Sequence, residues 1–186
     1  MNPLIQLKKA TSVFFVAFGL ACFVLLPTAH AAQTPDKQDI EAAKHEYEQA
    51  VPPGNEKARL TYVSKLAQFS DRLVSEYRRG LRNDDLMTAI NSELQKHPAP
   101  RDIDSKKLAQ LLVGKWESPR RTYVFRANGK WGNEDGPVDT NWRVQGNQIV
   151  WGEGKTASRS TIILLNSDYL IYTERGDVFF HSRVKE

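Results

Sequence analysis

From Gly114 to the end of the chain, apolar residues recur at every second position between closely spaced turn signals, with almost no helical spacing. Tyr123, Phe125 and Ala127 fall on one side of a segment that runs into Asn128-Gly129, the dipeptide most strongly associated with hairpins. Thr140, Trp142 and Val144 share a face in the next strong segment. Gly146-Asn147 then turns the chain, and residues 148–151 run back. Residues 160–165 are apolar on both faces, so they are expected in a central strand. Asn166-Ser167-Asp168 and Arg175-Gly176-Asp177 mark further turns around residues 169–173, and residues 178–184 complete the series. Roughly eight short strands at this spacing read as a meander. Trp116, Trp131, Trp142 and Trp151, the whole tryptophan complement of 4, lie in this stretch, and a short apolar segment at 108–113 leads into it. The pattern predicts a small antiparallel up-and-down β-barrel or half-barrel with a helix at its mouth.

Upstream the period is that of helices. Residues 38–50 are helical in pattern, and Val51-Pro52-Pro53-Gly54 must interrupt them, because neither proline offers a backbone N–H. Asn55 is a candidate N-cap. Leu60, Val63, Leu66, Phe69, Leu73 and Tyr77, then Leu81, form one apolar stripe. Gly80 stands where a C-terminal cap or bend belongs. Asn83 or Asp84 opens a further helix with Leu86, Met87, Ile90 and Leu94 on its face. His97-Pro98-Ala99-Pro100-Arg101 reads as an extended linker, and Asp104 or Ser105 caps the helix before Gly114. The fold class is therefore α+β: a helical hairpin followed by the barrel. The divisions are a leader at 1–31, a helical segment at 32–96, a linker at 97–104 and a β domain at 105–186.

The leader has the features of a secretory signal: Lys8 and Lys9, an apolar run at 10–26, Pro27, and Ala29-His30-Ala31 with small residues where a signal peptidase needs them. Cleavage before Ala32 makes the protein periplasmic or secreted, with no stable membrane anchor. An uncleaved anchor is the alternative, and lipidation at Cys22 after Ala21 is a minor one. Cys22 is the single cysteine, so the cleaved chain has no thiol, which removes disulfides, thiol catalysis and cysteine metal sites. The 26 basic and 22 acidic residues come still closer to balance once Lys8 and Lys9 are gone, which gives no footprint for nucleic acid.

Gly114-Lys115-Trp116 after a short helix, with Arg183 in the last strand, resembles the lipocalin-like domains, in which such an arginine stacks on the tryptophan of the first strand. The likeness covers residues 108–186 and implies a barrel with a general binding habit. Tyr47-Glu48-Gln49-Ala50 and Arg82-Asn83-Asp84-Asp85-Leu86 are similar to helical segments that precede such domains in exported bacterial proteins of unassigned function. Pro52-Pro53 departs from that pattern.

Two readings of the aromatic set stay open. Trp116, Tyr123, Trp131, Trp142 and Trp151, with His181 and Arg183, either line a pocket for a small apolar or ring-bearing ligand or fill the barrel. Trp131, beside a glycine-containing turn, is the expected exposed member. The acidic loop with Asn133, Glu134, Asp135 and Asp139 is a solvated turn or a contact site for an exported protein partner. It lacks calcium-loop order, and His45, His97 and His181 lack metal-site spacing, so neither a metal nor another cofactor is expected. Gly154-Lys155-Thr156 matches the end of a phosphate loop but has Ile149 where that motif needs glycine. Arg175-Gly176-Asp177 is composed as a tight turn. No nucleophile elbow is present. The expectation is a non-catalytic exported binding protein. An inhibitor or immunity-type partner of an exported enzyme and a hydrolase using the barrel cavity are the alternatives. Self-association through the Leu60–Tyr77 stripe is a further expectation.

Overall fold

The computed structural model describes residues 34–50 and 55–185, all within one compact unit. The leader and the Val51–Gly54 break lie outside the described residues. The helices are α1 (Lys37–Ala50), α2 (Glu56–Arg78), α3 (Asp84–Gln95) and α4 (Ser105–Leu112). The strands are β1 (Gly114–Glu117), β2 (Thr122–Phe125), β3 (Lys130–Asn133), β4 (Val138–Gln145), β5 (Gln148–Trp151), β6 (Ser158–Leu165), β7 (Tyr169–Glu174) and β8 (Asp177–Arg183). The strands follow one another round a closed antiparallel up-and-down barrel, as the alternation predicts.

The helix boundaries follow from local chemistry. The side chains of Asn55, Asn83 and Asp104 accept from backbone N–H groups in the first turns of α2, α3 and α4, satisfying donors that have no partner inside a helix. At the end of α2, Gly80 (φ 85) donates to Tyr77 O and Leu81 to Glu76 O, the paired bonds of a Schellman cap. Among the turns, Gly146 and Asn147 close β4 onto β5 with positive φ at the first position, and Arg175-Gly176 has both residues positive, each matching the strand twist. Asn128-Gly129 makes a longer hairpin than a two-residue turn, because Gly129 donates to Arg126 O and Arg126 to Lys130 O around a left-handed Gly129.

Two cores lie on opposite sides of one wall. Inside the barrel, Trp116, Phe125, Trp142, Ile149, Trp151, Ile162 and Leu170 pack with Leu108 and Leu112 of α4. Outside it, α2 and α3 pack against β6 to β8, with Val63, Leu66 and Leu73 of α2 grouped with Ile163, Leu164 and Ile171, and α1 packs on α2. This explains why residues 160–165 are apolar on both faces. The strand is lumen on one side and helix-covered on the other, with a register shift between Ile162 and Leu164 that turns both Ile163 and Leu164 outward. The barrel covers most of the α2 stripe and leaves Leu60 and Tyr77 exposed.

Arg59 ties α2 to that irregularity. Its Nη1 donates to Ile163 O (2.8 Å) and His97 O (2.9 Å), while Glu56 holds the guanidinium by two bonds of 2.6 Å. The 97–104 stretch is held down as well as extended: Ala99 N donates to Ile162 O, and Asn147 Nδ2 donates to Ala99 O.

Barrel closure is thin in strand terms. β1 meets β8 only at Trp116↔Arg183 and Glu117↔Ser182. Just past the strand pairing, Val184 N donates to Lys115 O (3.0 Å), and side chains supply the rest. The Arg183 guanidinium lies over the Trp116 ring at 4.0 Å from its centroid and donates to Val113 O (3.0 Å) and Leu111 O, carbonyls at the C-terminal end of α4. Trp116 Nε1 donates to Leu112 O (2.8 Å). Gly114 adopts φ 134, and a Cβ there would stand 2.5 Å from Arg183 Nη1. Arg183→Met and Gly114→Ala are each expected to lower the urea unfolding free energy by about 2–4 kcal/mol. Losses below about 0.5 kcal/mol in both would show that closure does not depend on this cluster.

Candidate functional site

Alternation and register aim one set of side chains into the half of the lumen away from α4. β2 contributes Tyr123, β5 Trp151, β6 Ser160, β7 Tyr172 and Glu174, and β8 Phe179 and His181, while Trp131 of β3 packs across from the side. The rings lie against one another. Tyr172 stacks on His181 (5.5 Å, 17°) and on Phe179 (5.2 Å, 15°). Tyr123 meets His181 edge-on (5.4 Å, 82°), and Trp131 sits 4.7 Å from Trp151.

Polar groups among these rings divide into satisfied and unsatisfied. Trp151 Nε1 donates to Ser160 Oγ (2.6 Å), and Ser160 Oγ donates to Glu174 Oε2 (3.0 Å), which closes that chain. In contrast, His181 Nδ1, His181 Nε2 and Trp131 Nε1 are buried with no hydrogen-bond partner among the described residues. His181 is 5% exposed, so solvent does not reach it freely. An unpaired buried donor or acceptor costs about 1–3 kcal/mol, and three such atoms in one ring cluster call for an explanation.

Burial sets the electrostatics. It pushes the His181 imidazole down to about 4, so the ring is neutral at neutral pH, with one nitrogen donating and the other accepting. Burial, then the neighbouring Tyr123 and Glu174, raises the Tyr172 hydroxyl above the usual phenol range. The lumen presents hydrogen-bonding atoms without formal charge at His181 and Tyr172. No carboxylate hydrogen-bonds to His181, as a general-base pair would require.

The predicted ligand set separates in space. Tyr123, Trp131, Trp151 and His181 come together as described. Trp116 and Arg183 sit at the α4 end, in the closure cluster. Trp142 lies between, edge-on to Phe125 and donating to Lys130 O (3.0 Å). Trp131 is the least buried of the four indoles, though its Nε1 is enclosed. In the acidic loop, Glu134 pairs with Lys115 (2.7 Å) and donates its N–H to Thr122 O, which holds it to the barrel wall. Asn133 is half-buried at the end of β3, whereas Asp135 and Asp139 are exposed. His45 bonds Gln49, His97 stands edge-on to Tyr47 and Tyr62, and no group of three or more His, Cys, Asp or Glu converges among the described residues.

Sequence reasoning missed Tyr172, Phe179, Ser160 and Glu174. Their signal was the same alternation that marked His181, since Leu170↔His181 and Tyr172↔Phe179 are register partners in one hairpin. The rim also has an opening. Beyond Glu117 the chain leaves β1 for the Ser118–Arg121 turn, and a cavity of about 460 Å³ lies between that turn, the outer half of β8, and Val74 of α2 with Met87 and Asn91 of α3, reaching Tyr123 and His181.

The unfolded chain protonates a histidine near its ordinary value of 6.5, while folded His181 resists protonation until about pH 4. The unfolded state therefore binds more protons between those values, and stability falls as pH drops through that window. Chemical denaturation from pH 7 to 4 is expected to show a loss approaching ~1.4 kcal/mol per pH unit from this group. His97, whose affinity for protons burial also lowers, adds to the trend. His181→Phe is expected to flatten it, and an unchanged slope would place the acid sensitivity elsewhere. Comparison of the chain with protein families, with curated proteins and with solved structures gives no match.

Proposed function

We propose that this chain is an exported, non-catalytic binding protein whose barrel receives a small ring-bearing ligand carrying a hydrogen-bonding group. One observation carries the reading: His181 is buried among aromatic rings with both ring nitrogens unpartnered. Folding alone gains nothing from a polar ring there, and an apolar residue of the same size would be more stable. A ligand hydroxyl that bonds one of these nitrogens lowers the penalty on binding, and the rings of Tyr123 and Phe179, which line the cavity that reaches His181, supply apolar surface for its body. Export rests on the leader features of residues 1–31. Among the described residues no helix is long and apolar enough to cross a membrane.

The test pairs stability with binding. His181→Phe is expected to raise the unfolding free energy by about 1 kcal/mol and to weaken 2-naphthol about tenfold. Naphthalene, which has no hydrogen-bonding group, is expected to change less than about twofold. All the tryptophans lie in the barrel, so intrinsic fluorescence reports the titrations. A destabilised His181→Phe together with no binding of either compound to the wild-type protein would overturn the reading.

A further inference from the structure

The opening beside β8 is built as well as placed. β8 spans Asp177–Arg183, yet β1 pairs with it only at Arg183 and Ser182. Along residues 178–181 the strand has β7 on one side and no strand on the other among the described residues. The wall therefore has a lateral slot. Its lining includes residues from both faces of β8: Val178 and Phe180 from the helix-covered side, Phe179 and His181 from the lumen side.

The β1–β2 turn holds two arginines at this slot. Ser118 fixes the turn, with its N–H and Oγ donating to Arg121 O and its Oγ accepting from Arg121 N (2.8, 2.9 and 3.0 Å). Arg120 and Arg121 are exposed, line the cavity, and form no ion pair among the described residues. No carboxylate lines the cavity. The acidic groups nearby include Asp84 and Asp135, which border adjoining cavities, and Glu117, which Arg78 holds at 3.1 Å and which lies close to Asp71. The slot is thus positive at its outer lip, mostly apolar along its walls and uncharged at its inner end, where it meets the His181 ring, whose enclosed nitrogens have no partner among the described residues.

Resting on the ligand-binding reading above, we infer that the slot admits an aromatic carboxylate, with its ring system against Tyr123, Phe179 and His181 and its carboxylate held outside the lumen by Arg120 and Arg121. The polarity of the site dictates this orientation. A carboxylate inside would be desolvated against a histidine that stays neutral, whereas at the lip two guanidinium groups offer fork-shaped donors that match it. A cationic ligand would meet like charge at the entrance, and a purely apolar one would leave both arginines and His181 unused.

The experiment compares 6-hydroxy-2-naphthoate with 2-naphthol, the same ring system and hydroxyl with and without the carboxylate, and reads the ratio of their dissociation constants. In the wild-type protein the carboxylate is expected to tighten binding about fivefold. The doubly substituted Arg120→Gln, Arg121→Gln protein is expected to bring the ratio to about one. Raising the salt to about 1 M on unsubstituted protein is expected to shrink it in the same direction, because the arginines are exposed. A ratio near one in wild-type protein, or a fivefold ratio that survives both the substitutions and the salt, overturns the carboxylate assignment and leaves the binding reading intact, since 2-naphthol still binds. Failure of both compounds to bind overturns the two together.

Discussion

The closure of this barrel is tied together by one guanidinium. Arg183 lies on the Trp116 ring and donates to carbonyls at the end of α4, so a single side chain joins the last strand, the first strand and the helix before it. Without it, two residue pairs between β1 and β8 and one further backbone bond, from Val184 N to Lys115 O, make a short seam. The arrangement also fixes sequence at a distance. Gly114 must lack a side chain because Arg183 occupies the space a Cβ would take, and Trp116 must be aromatic because a cation covers it. With α4 anchored this way, Leu108 and Leu112 close that end of the lumen with apolar surface, and any site in the barrel must lie towards the other end.

The helices do a different job from the strands. α2 lies along the outer wall and buries β6 from behind, and Arg59 satisfies the carbonyl of Ile163, which the register shift in β6 leaves to the outside. A buried arginine is tolerable there because Glu56 pairs with it and two backbone carbonyls accept from it. The wall formed by β6, β7 and the inner half of β8 is thereby packed on both sides. The edge of β8 beyond the short β1 has no strand beside it among the described residues, and the cavity that reaches His181 lies there, bounded by α2, α3 and the β1–β2 turn. Rigid wall and open slot share one strand.

Much of this is legible in the residues. The alternation after Gly114 carries the barrel, the Asn and Asp caps carry the helix starts, and the pairing of Trp116 with Arg183 follows from the lipocalin-like resemblance. The apolar character of β6 on both faces is legible too, but its cause is not, because the chain alone does not say that helices come back to cover the strand. Arg59 and Tyr62 escape notice for the same reason. They lie beside the Leu60–Tyr77 stripe, and only the curvature of the wall decides that the buried face is rotated towards them. In the candidate site, His181 and the indoles are visible as chemistry-bearing residues. The slot is not, because it arises from the difference in length between β1 and β8, a property of register that no single segment displays.

The central claim is that the closed end of the barrel supplies stability and the open end keeps an unsatisfied, neutral histidine for a ligand. The most direct measurement is the nitrogen NMR titration of the His181 imidazole, with and without 2-naphthol. The account predicts a neutral ring down to a midpoint of about pH 4, with the ring nitrogen that meets the hydroxyl shifting when the ligand is added. A histidine that titrates at its ordinary value and ignores the ligand would contradict it.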